Sequence, residues 1–239
     1  MNFPVPNSLA EIAGLIDHTL LKPEASREDI ERLCREALQC RFAAVCVNPS
    51  YVAEAARLLR ESSVCICAVV GFPLGATLPQ VKRFEAEECI RLGAREIDAV
   101  INIGALKSGD AQAVEWDIRC VVEAGHSGGA LVKIILETAL LSREEKIQAA
   151  LIARRAGANF VKTSTGFGPA GATVEDVRLL REVVGDGTGV KAAGGVRTWE
   201  DVQSMVVAGA SRIGTSTGVQ ILAQARAAFA SGGSAPRSI

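Results

Sequence analysis

Residues 158–194 read ANFVKTSTGFGPAGATVEDVRLLREVVGDGTGVKAAG, and this stretch decides the fold. Its two ends, residues 158–164 and 189–194, are short runs in which apolar residues follow one another instead of alternating. Such runs are typical of strands covered on both faces of a parallel sheet. Between them, residues 174–184 repeat apolar side chains at three- and four-residue steps, as one face of a helix does. The stretch therefore predicts two parallel strands joined by a helix.

The same pattern of strands and helices recurs along the chain. Eight short apolar runs are present, at residues 14–19, 42–48, 64–71, 96–102, 130–137, 158–164, 189–194 and 211–216. Eight strands, each followed by a helix, in a chain of 239 residues predict an α/β fold, the (β/α)8 TIM barrel. A doubly wound open sheet is the alternative.

The ends of the chain and several helix boundaries can also be predicted. We expect one barrel domain over residues 1–230 with a short N-terminal helical extension. Residues 231–239 are rich in Gly, Ser and Pro, so we expect a flexible tail there. Suitable N-caps and helix stops are Ser26, Ser142 and Thr198, and Gly93, Gly157 and Gly209, respectively.

Composition excludes several classes of partner. Lys plus Arg total 26 and Asp plus Glu total 27, so the formal net charge is −1 and offers no basic excess for nucleic acid or for an anionic membrane. The seven cysteines form no C-x-x-C pair, and only two histidines are present, so a zinc site has little support. We expect reduced thiols, no signal peptide and a cytoplasmic location.

Three lysines lie within the apolar runs: Lys133, Lys162 and Lys191. Lysine is rarely buried unless it is paired or functional. In a barrel these strands are neighbours, so we expect the ammonium groups to converge, and their repulsion and burial to lower their pKa. A neutral amine is the nucleophile that forms a Schiff base. Lys162 and Lys191 end their runs, where barrel sites lie, but the spacing does not choose between them.

Carboxylates for proton transfer are also present in apolar runs. Asp17 and Asp98 each interrupt such a run, which is unfavourable unless the carboxylate is paired. Each is a candidate proton carrier or a structural group, and Glu137 is a third candidate, with Asn102 as a possible hydrogen-bond partner. His18 is expected to be a hydrogen-bonded structural residue.

Glycine-rich loops follow the last three strands. They begin at Gly166, at Gly194–Gly195 and at Gly214, and each leads into a predicted helix start, where backbone amides favour an anion. Barrels often bind phosphate after the seventh and eighth strands, and Arg197 could add charge there. Tight turns without a ligand are the alternative interpretation.

One glycine pattern imitates a dinucleotide-binding turn. Gly166, Gly168 and Gly171 have the G-x-G-x-x-G spacing between a strand and a helix. That motif expects an acidic residue at the end of the next strand, and Lys191 stands there. We therefore expect no nicotinamide cofactor.

Several phrases resemble the deoxyribose-phosphate aldolase family of class I aldolases. They are IDHTLLKP at 16–23, VCVNP at 45–49, VGFPLG at 70–75, EIDAVINIG at 96–104, VKIILET at 132–138, FVKTSTGFG at 160–168, VKAAGGVR at 190–197 and RIGTS at 212–216. The resemblance spans about residues 16–222 and implies a (β/α)8 barrel that needs no metal or other cofactor.

The resemblance assigns roles by position. Lys162 would form the Schiff base, Lys191 would perturb it and help to transfer protons, and Asp98 would relay protons. The resemblance implies a substrate-binding set of Asp17, Cys46, Thr165, Gly166, Gly194, Gly195, Gly214, Ser216 and Thr217. Some members have a lysine for phosphate after KTSTG, whereas this chain has Phe167.

The activity that follows from the resemblance is reversible cleavage of 2-deoxy-D-ribose 5-phosphate to D-glyceraldehyde 3-phosphate and acetaldehyde. We expect a small sugar phosphate as partner and a homo-oligomer, either a dimer or a tetramer. The alternatives are another class I aldolase or a transaldolase on the same barrel, and a barrel that binds sugar phosphate without catalysis.

Overall fold

The computed structural model describes residues 4–231, in which eight parallel strands form a closed barrel. Each strand pairs with the next in the sequence, and the eighth pairs with the first. The strands are β1 Ile16–Leu20, β2 Ala44–Val47, β3 Cys65–Val70, β4 Glu96–Val100, β5 Leu131–Ile135, β6 Phe160–Lys162, β7 Gly189–Ala193 and β8 Arg212–Thr215. The predicted (β/α)8 barrel is confirmed, and the open sheet is excluded because the barrel is closed.

Helices follow the strands in alternation, and a short one precedes them. They are α1 Leu9–Ala13, α2 Arg27–Cys40, α3 Val52–Leu58, α4 Pro79–Arg91, α5 Ile103–Lys107, α6 Ala111–Ser127, α7 Arg143–Arg155, α8 Val174–Val184, α9 Trp199–Val207 and α10 Gly218–Ala230. Helix α1 is the expected N-terminal extension. The expected tail lies, apart from Ser231, outside the described residues, and the domain limits 1–230 stay a prediction. Within the described part of the chain, no helix is long and apolar enough to cross a membrane.

The predicted helix signals are confirmed. The hydroxyls of Ser26, Ser142 and Thr198 accept hydrogen bonds from the third backbone N–H of α2, α7 and α9, and an acidic side chain reaches back to each cap. Immediately after α4, α7 and α9, the chain turns at glycines with positive φ. These are Gly93, Gly157 and Gly209, at φ +116°, +89° and +113°.

Alternation along the strands separates an apolar shell from a charged interior. Ile97 and Ala99 of β4 pack with the helices in the main core, whereas Glu96 and Asp98, on the other face of the same strand, contact side chains from β5–β8. Such contacts across several strands are possible only inside the barrel. The barrel therefore points ionisable side chains of β4 into its own interior.

Candidate active site

Strand register brings the three strand lysines around one carboxylate. Lys162 is directly opposite Lys191 in the β6–β7 pairing, and Asp98 is opposite Lys133 in the β4–β5 pairing. Asp98 Oδ2 accepts hydrogen bonds from Lys162 Nζ and Lys191 Nζ, both at 2.7 Å, and its Oδ1 accepts one from Lys133 Nζ at 2.9 Å. One buried aspartate thus contacts all three lysines of the apolar runs.

Two further residues, which the sequence reading did not single out, close this cluster. Arg212 Nη1 donates to Asp17 Oδ1 at 2.7 Å and to Glu96 at 3.2 Å. Glu96 also pairs with Lys133 at 2.5 Å, and Asp17 accepts a short hydrogen bond from Lys191. We call the following set the interior charge network: Asp17, Glu96, Asp98, Lys133, Lys162, Lys191 and Arg212. Glu96 could have been found, because it precedes Asp98 at the two-residue spacing of one strand face.

The predicted lowering of the lysine pKa values is wrong for Lys133 and Lys191. Burial disfavours the ammonium form of both, but Asp98 and Asp17 outweigh it, so the pKa of each lysine is raised. Burial likewise works against the carboxylate of Asp98, yet the three lysines hold its pKa well below the usual range. The expectation failed because it counted repulsion between lysines and left out the carboxylates between them.

A cavity of about 370 Å³ opens above the network, at the C-terminal ends of the strands. Its wall is formed by Thr19, Leu20, Leu21, Lys22, Lys162, Thr165, Gly166, Phe167, Ala193, Gly194, Gly195, Val196, Arg197, Gly214, Thr215 and Ser216. Among the described residues, Lys162 is the one member of the interior charge network in this wall. Lys191 and Asp98 are fully buried beneath it.

The cavity gathers most of the predicted substrate-binding residues. Those in its wall are Thr165, Gly166, Gly194, Gly195, Gly214 and Ser216. Thr217 lies just beyond, with its hydroxyl donating to the carbonyl of Arg197 at 3.2 Å. Asp17 is buried in the network, and Cys46 is fully buried beside Cys67. Lys22 lines the cavity although the sequence reading did not select it.

The other candidates have structural partners. Glu137 accepts hydrogen bonds from the backbone N–H of Thr165, at 3.2 Å, and from its hydroxyl. Asn102 caps α5, and the His18 ring bonds Glu36 at 2.7 Å, as expected for a structural histidine. Glu137 therefore fixes the loop after β6 and does not meet the lysines.

The glycines of the cavity rim allow a close contact between loops as well as turns of the backbone. Gly194 and Gly195 have φ of +85° and +81°, which favours glycine. A Cβ on Gly171 would lie 2.1 Å from the Gly194 carbonyl oxygen, so the loops after β6 and β7 touch there. The third glycine of the dinucleotide-like spacing is thus required by a contact between two loops. A Cβ on Gly214 would lie 3.1 Å from Lys191 Cε.

The interior holds donor atoms that resemble a metal site only in their spacing. Ligand atoms of Cys46, Cys67 and Asp98 lie within 4.8 Å of one another. The Asp98 oxygens already accept hydrogen bonds from lysine ammonium groups, and a divalent cation would meet those like charges at close range. This arrangement suits proton transfer better than metal binding.

The chain is similar in sequence and in structure to known aldolases. The sequence model for the DeoC/LacD family of aldolases matches residues 12–231. A deoxyribose-phosphate aldolase of Exiguobacterium sibiricum is 58% identical, over 88% of this chain and 95% of its own. One from Thermococcus gammatolerans is also 58% identical, over 90% and 97%. The solved deoxyribose phosphate aldolase of Aeropyrum pernix, described as a tetramer, has a TM-score of 0.86 at 37% identity and covers 95% of this chain and 94% of that chain.

Proposed function

Because this chain belongs to the DeoC/LacD family of aldolases and is thus an aldehyde-lyase, we propose that it cleaves 2-deoxy-D-ribose 5-phosphate reversibly to D-glyceraldehyde 3-phosphate and acetaldehyde. One observation carries the proposal. Lys162 reaches the cavity from the interior charge network, and through Asp98 Oδ2 it is linked to Lys191. A primary amine at a cavity wall with a proton path behind it is the arrangement that Schiff-base catalysis needs.

The ion pairs support Lys162 as the nucleophile. Lys162 pairs with one carboxylate, Asp98, which also pairs with Lys133 and Lys191. Lys191 pairs with two buried carboxylates, Asp17 and Asp98. Buried charges are costly unless they are compensated. Converting Lys162 into a neutral nucleophile therefore breaks fewer buried ion pairs than the same change at Lys191.

The proposed reaction begins at the aldehyde carbon of the open-chain sugar. The Lys162 amine adds to C1, and loss of water gives an iminium. A base then takes the proton from the C3 hydroxyl, the C2–C3 bond breaks, and its electron pair moves into the iminium to form an enamine. Glyceraldehyde 3-phosphate leaves. Protonation at C2 and hydrolysis release acetaldehyde and the free Lys162.

Asp98 and Lys191 are suited to move these protons. The lysines keep Asp98 ionised, so it can accept the C3 proton through a water, and Lys191 stays cationic and holds the same carboxylate oxygen by a hydrogen bond of 2.7 Å. Asp98 then gives this proton to C2 of the enamine along the same path. The phosphate would lie at the loops of Gly194, Gly195 and Ser216, where α9 and α10 begin soon afterwards.

A coupled assay tests the proposal. Reduction of the released triose phosphate is followed with 2-deoxyribose 5-phosphate as substrate, and the reverse reaction is run with acetaldehyde or with a ketone donor. We expect release, and condensation with acetaldehyde. Condensation with the ketone donor alone would favour another class I aldolase or a transaldolase. Binding of the sugar phosphate without turnover would indicate a non-catalytic barrel.

The assembly and location of the chain follow as part of this proposal. We expect a homo-oligomer, since the Aeropyrum pernix relative is described as tetrameric. Large apolar side chains are exposed at three-residue steps around the start of α4, namely Leu78, Val81 and Phe84, and they would suit such contacts. Light scattering of the purified protein measures the mass of the assembly. The cysteine usage supports a reducing, cytoplasmic compartment.

A further inference from the structure

The charge on the cavity wall differs from that of the interior beneath it. Three cationic side chains, Lys22, Lys162 and Arg197, line the cavity, and no Asp or Glu of the described residues does. The interior charge network, in contrast, places a carboxylate beside every cation. The cavity is therefore built for an anion.

Lys22 stands at this wall on a fixed loop between β1 and α2. The Asn48 side-chain amide donates to the Leu21 carbonyl at 3.1 Å, and the Ala25 N–H donates to the Lys22 carbonyl at 3.1 Å. The Tyr51 hydroxyl donates to the Ala25 carbonyl at 2.5 Å. Bonds on both sides thus position the Lys22 backbone, so its side chain starts from a defined point on the rim.

The Lys22 ammonium is available for a ligand. The side chain is exposed, and no carboxylate within residues 4–231 lies within 4.0 Å of its nitrogen. Arg197 is less available, because Asp201 lies close enough for their charges to interact. Phe167 also lines the cavity, and it is uncharged and half exposed. Lys22 is thus the cation of the rim whose ammonium group has no carboxylate partner among the described residues.

We infer that Lys22 is a specificity-determining residue whose ammonium pairs with the phosphate of the substrate, across the cavity from Gly194, Gly195 and Ser216. This inference rests on the proposed function. It explains how a chain with Phe167, where some family members have a lysine, supplies a positive charge to a dianionic group. A lysine on a long stem also suits a phosphate that must enter and leave.

Steady-state kinetics with two substrates test this role. The Lys22→Gln and Lys22→Arg proteins are compared with the original chain on 2-deoxyribose 5-phosphate and on 2-deoxyribose. For Lys22→Gln we expect KM for the phosphorylated sugar to rise on the order of 10-fold, the usual scale for one charge-assisted hydrogen bond, with kcat little changed. Lys22→Arg should restore most of the affinity. Lys107→Gln removes a lysine that pairs with Glu145 on the surface, and should behave as the original chain does.

Two results would overturn the inference. One is a KM for the phosphorylated sugar that Lys22→Gln leaves unchanged; the other is an equal loss on both substrates, which would indicate a structural role. Calorimetry with inorganic phosphate gives a readout that needs no turnover. Weaker phosphate binding by Lys22→Gln than by Lys107→Gln supports the inference even if the original chain cleaves neither sugar, in which case only the proposed function fails. Equal phosphate binding would contradict the inference whatever the turnover.

Discussion

At the scale of single residues, Asp98 affects both the stability of the interior and the chemistry of the site. Its two oxygens contact the ammonium groups of Lys133, Lys162 and Lys191, and it is fully buried. Such a carboxylate both compensates buried cations and offers a path for protons between them. Asp98 therefore has a structural role and a chemical role on one side chain.

The Asp98→Asn substitution tests these roles together. It keeps the size of the side chain but removes the negative charge, so we expect kcat to fall roughly 10²- to 10⁴-fold, the usual contribution of proton transfer by a positioned group. The triose phosphate assay measures the rate, and circular dichroism checks that the protein is folded. Asp186→Asn, on the surface, is the matched control. A folded Asp98→Asn protein with an unchanged kcat would contradict the assignment.

At the scale of elements, the loops after β6 and β7 form the cavity rim by touching each other. Ala172 N donates to the Gly194 carbonyl at 2.9 Å, and Gly171 leaves no room for a side chain at that carbonyl. Thr163 reinforces the contact, since its hydroxyl donates to the Ala193 carbonyl at 3.0 Å. The geometry of the predicted phosphate loop thus depends on a neighbouring loop.

Gly171→Ala should disturb this contact. The new methyl group would lie 2.1 Å from the Gly194 carbonyl oxygen, so the two loops must separate. We expect KM for the phosphorylated sugar to rise on the order of 10-fold and the melting temperature to fall, since overpacking typically costs about 1–3 kcal/mol. Gly187→Ala, which meets nothing within 4 Å, is the control. Equal behaviour of the two variants would show that the loop contact is unimportant.

Helix capping predicts an effect on stability that does not involve catalysis. Ser142 caps α7 through a reciprocal pair of hydrogen bonds with Glu145, so Ser142→Ala should lower the free energy of unfolding by about 1 kcal/mol. Urea titration measures this loss. Ser204 lies within α9 and is exposed, so Ser204→Ala should cost less. A larger loss for Ser204→Ala would contradict the capping argument.

At the scale of the whole molecule, the interior charge network makes stability depend on acid. Burial opposes the carboxylates of Asp17 and Asp98, but the lysines outweigh it and hold both pKa values below the ordinary 3.8. Their stabilisation is therefore present above the unfolded pKa of about 4 and is lost as pH falls below it. We expect the urea midpoint to fall between pH 5 and pH 3.

Salt separates the buried contribution from the surface one. Ions screen exposed pairs strongly and buried pairs much less, so most of the acid dependence should persist at about 0.5 M salt. A dependence that disappears in salt would assign it to surface pairs such as Arg32–Asp29. A urea midpoint that stays constant from pH 5 to pH 3 would contradict the lowered pKa values of Asp17 and Asp98.

The fold could be predicted more completely than the site. The eight apolar runs locate all eight strands, because burial on both faces leaves a strong local signal. Boundaries were less accurate: the run at 158–164 contains a strand of only Phe160–Lys162, and the Thr163 hydroxyl beyond its end donates to the Ala193 carbonyl of β7. Local sequence does not report such contacts between distant segments.

The site residues that the sequence did not indicate were missed for the same reason. Arg212 lies in β8 and Lys22 lies in the loop after β1. The role of each depends on the residues opposite it in the barrel. The direction of the Lys191 pKa shift also depended on Asp17, which is 174 positions away in the sequence. Residue type and spacing found the lysines, whereas only the closed barrel shows which carboxylates compensate them.

The central claim is that Lys162 carries the covalent intermediate. Borohydride added with 2-deoxyribose 5-phosphate or acetaldehyde should reduce the Schiff base, and peptide mass spectrometry should then find the added mass on the peptide with Lys162. Lys162→Met should lose both trapping and triose phosphate release, whereas the Lys107→Gln control should keep both. Trapping on Lys191, or full activity of a folded Lys162→Met protein, would contradict the account.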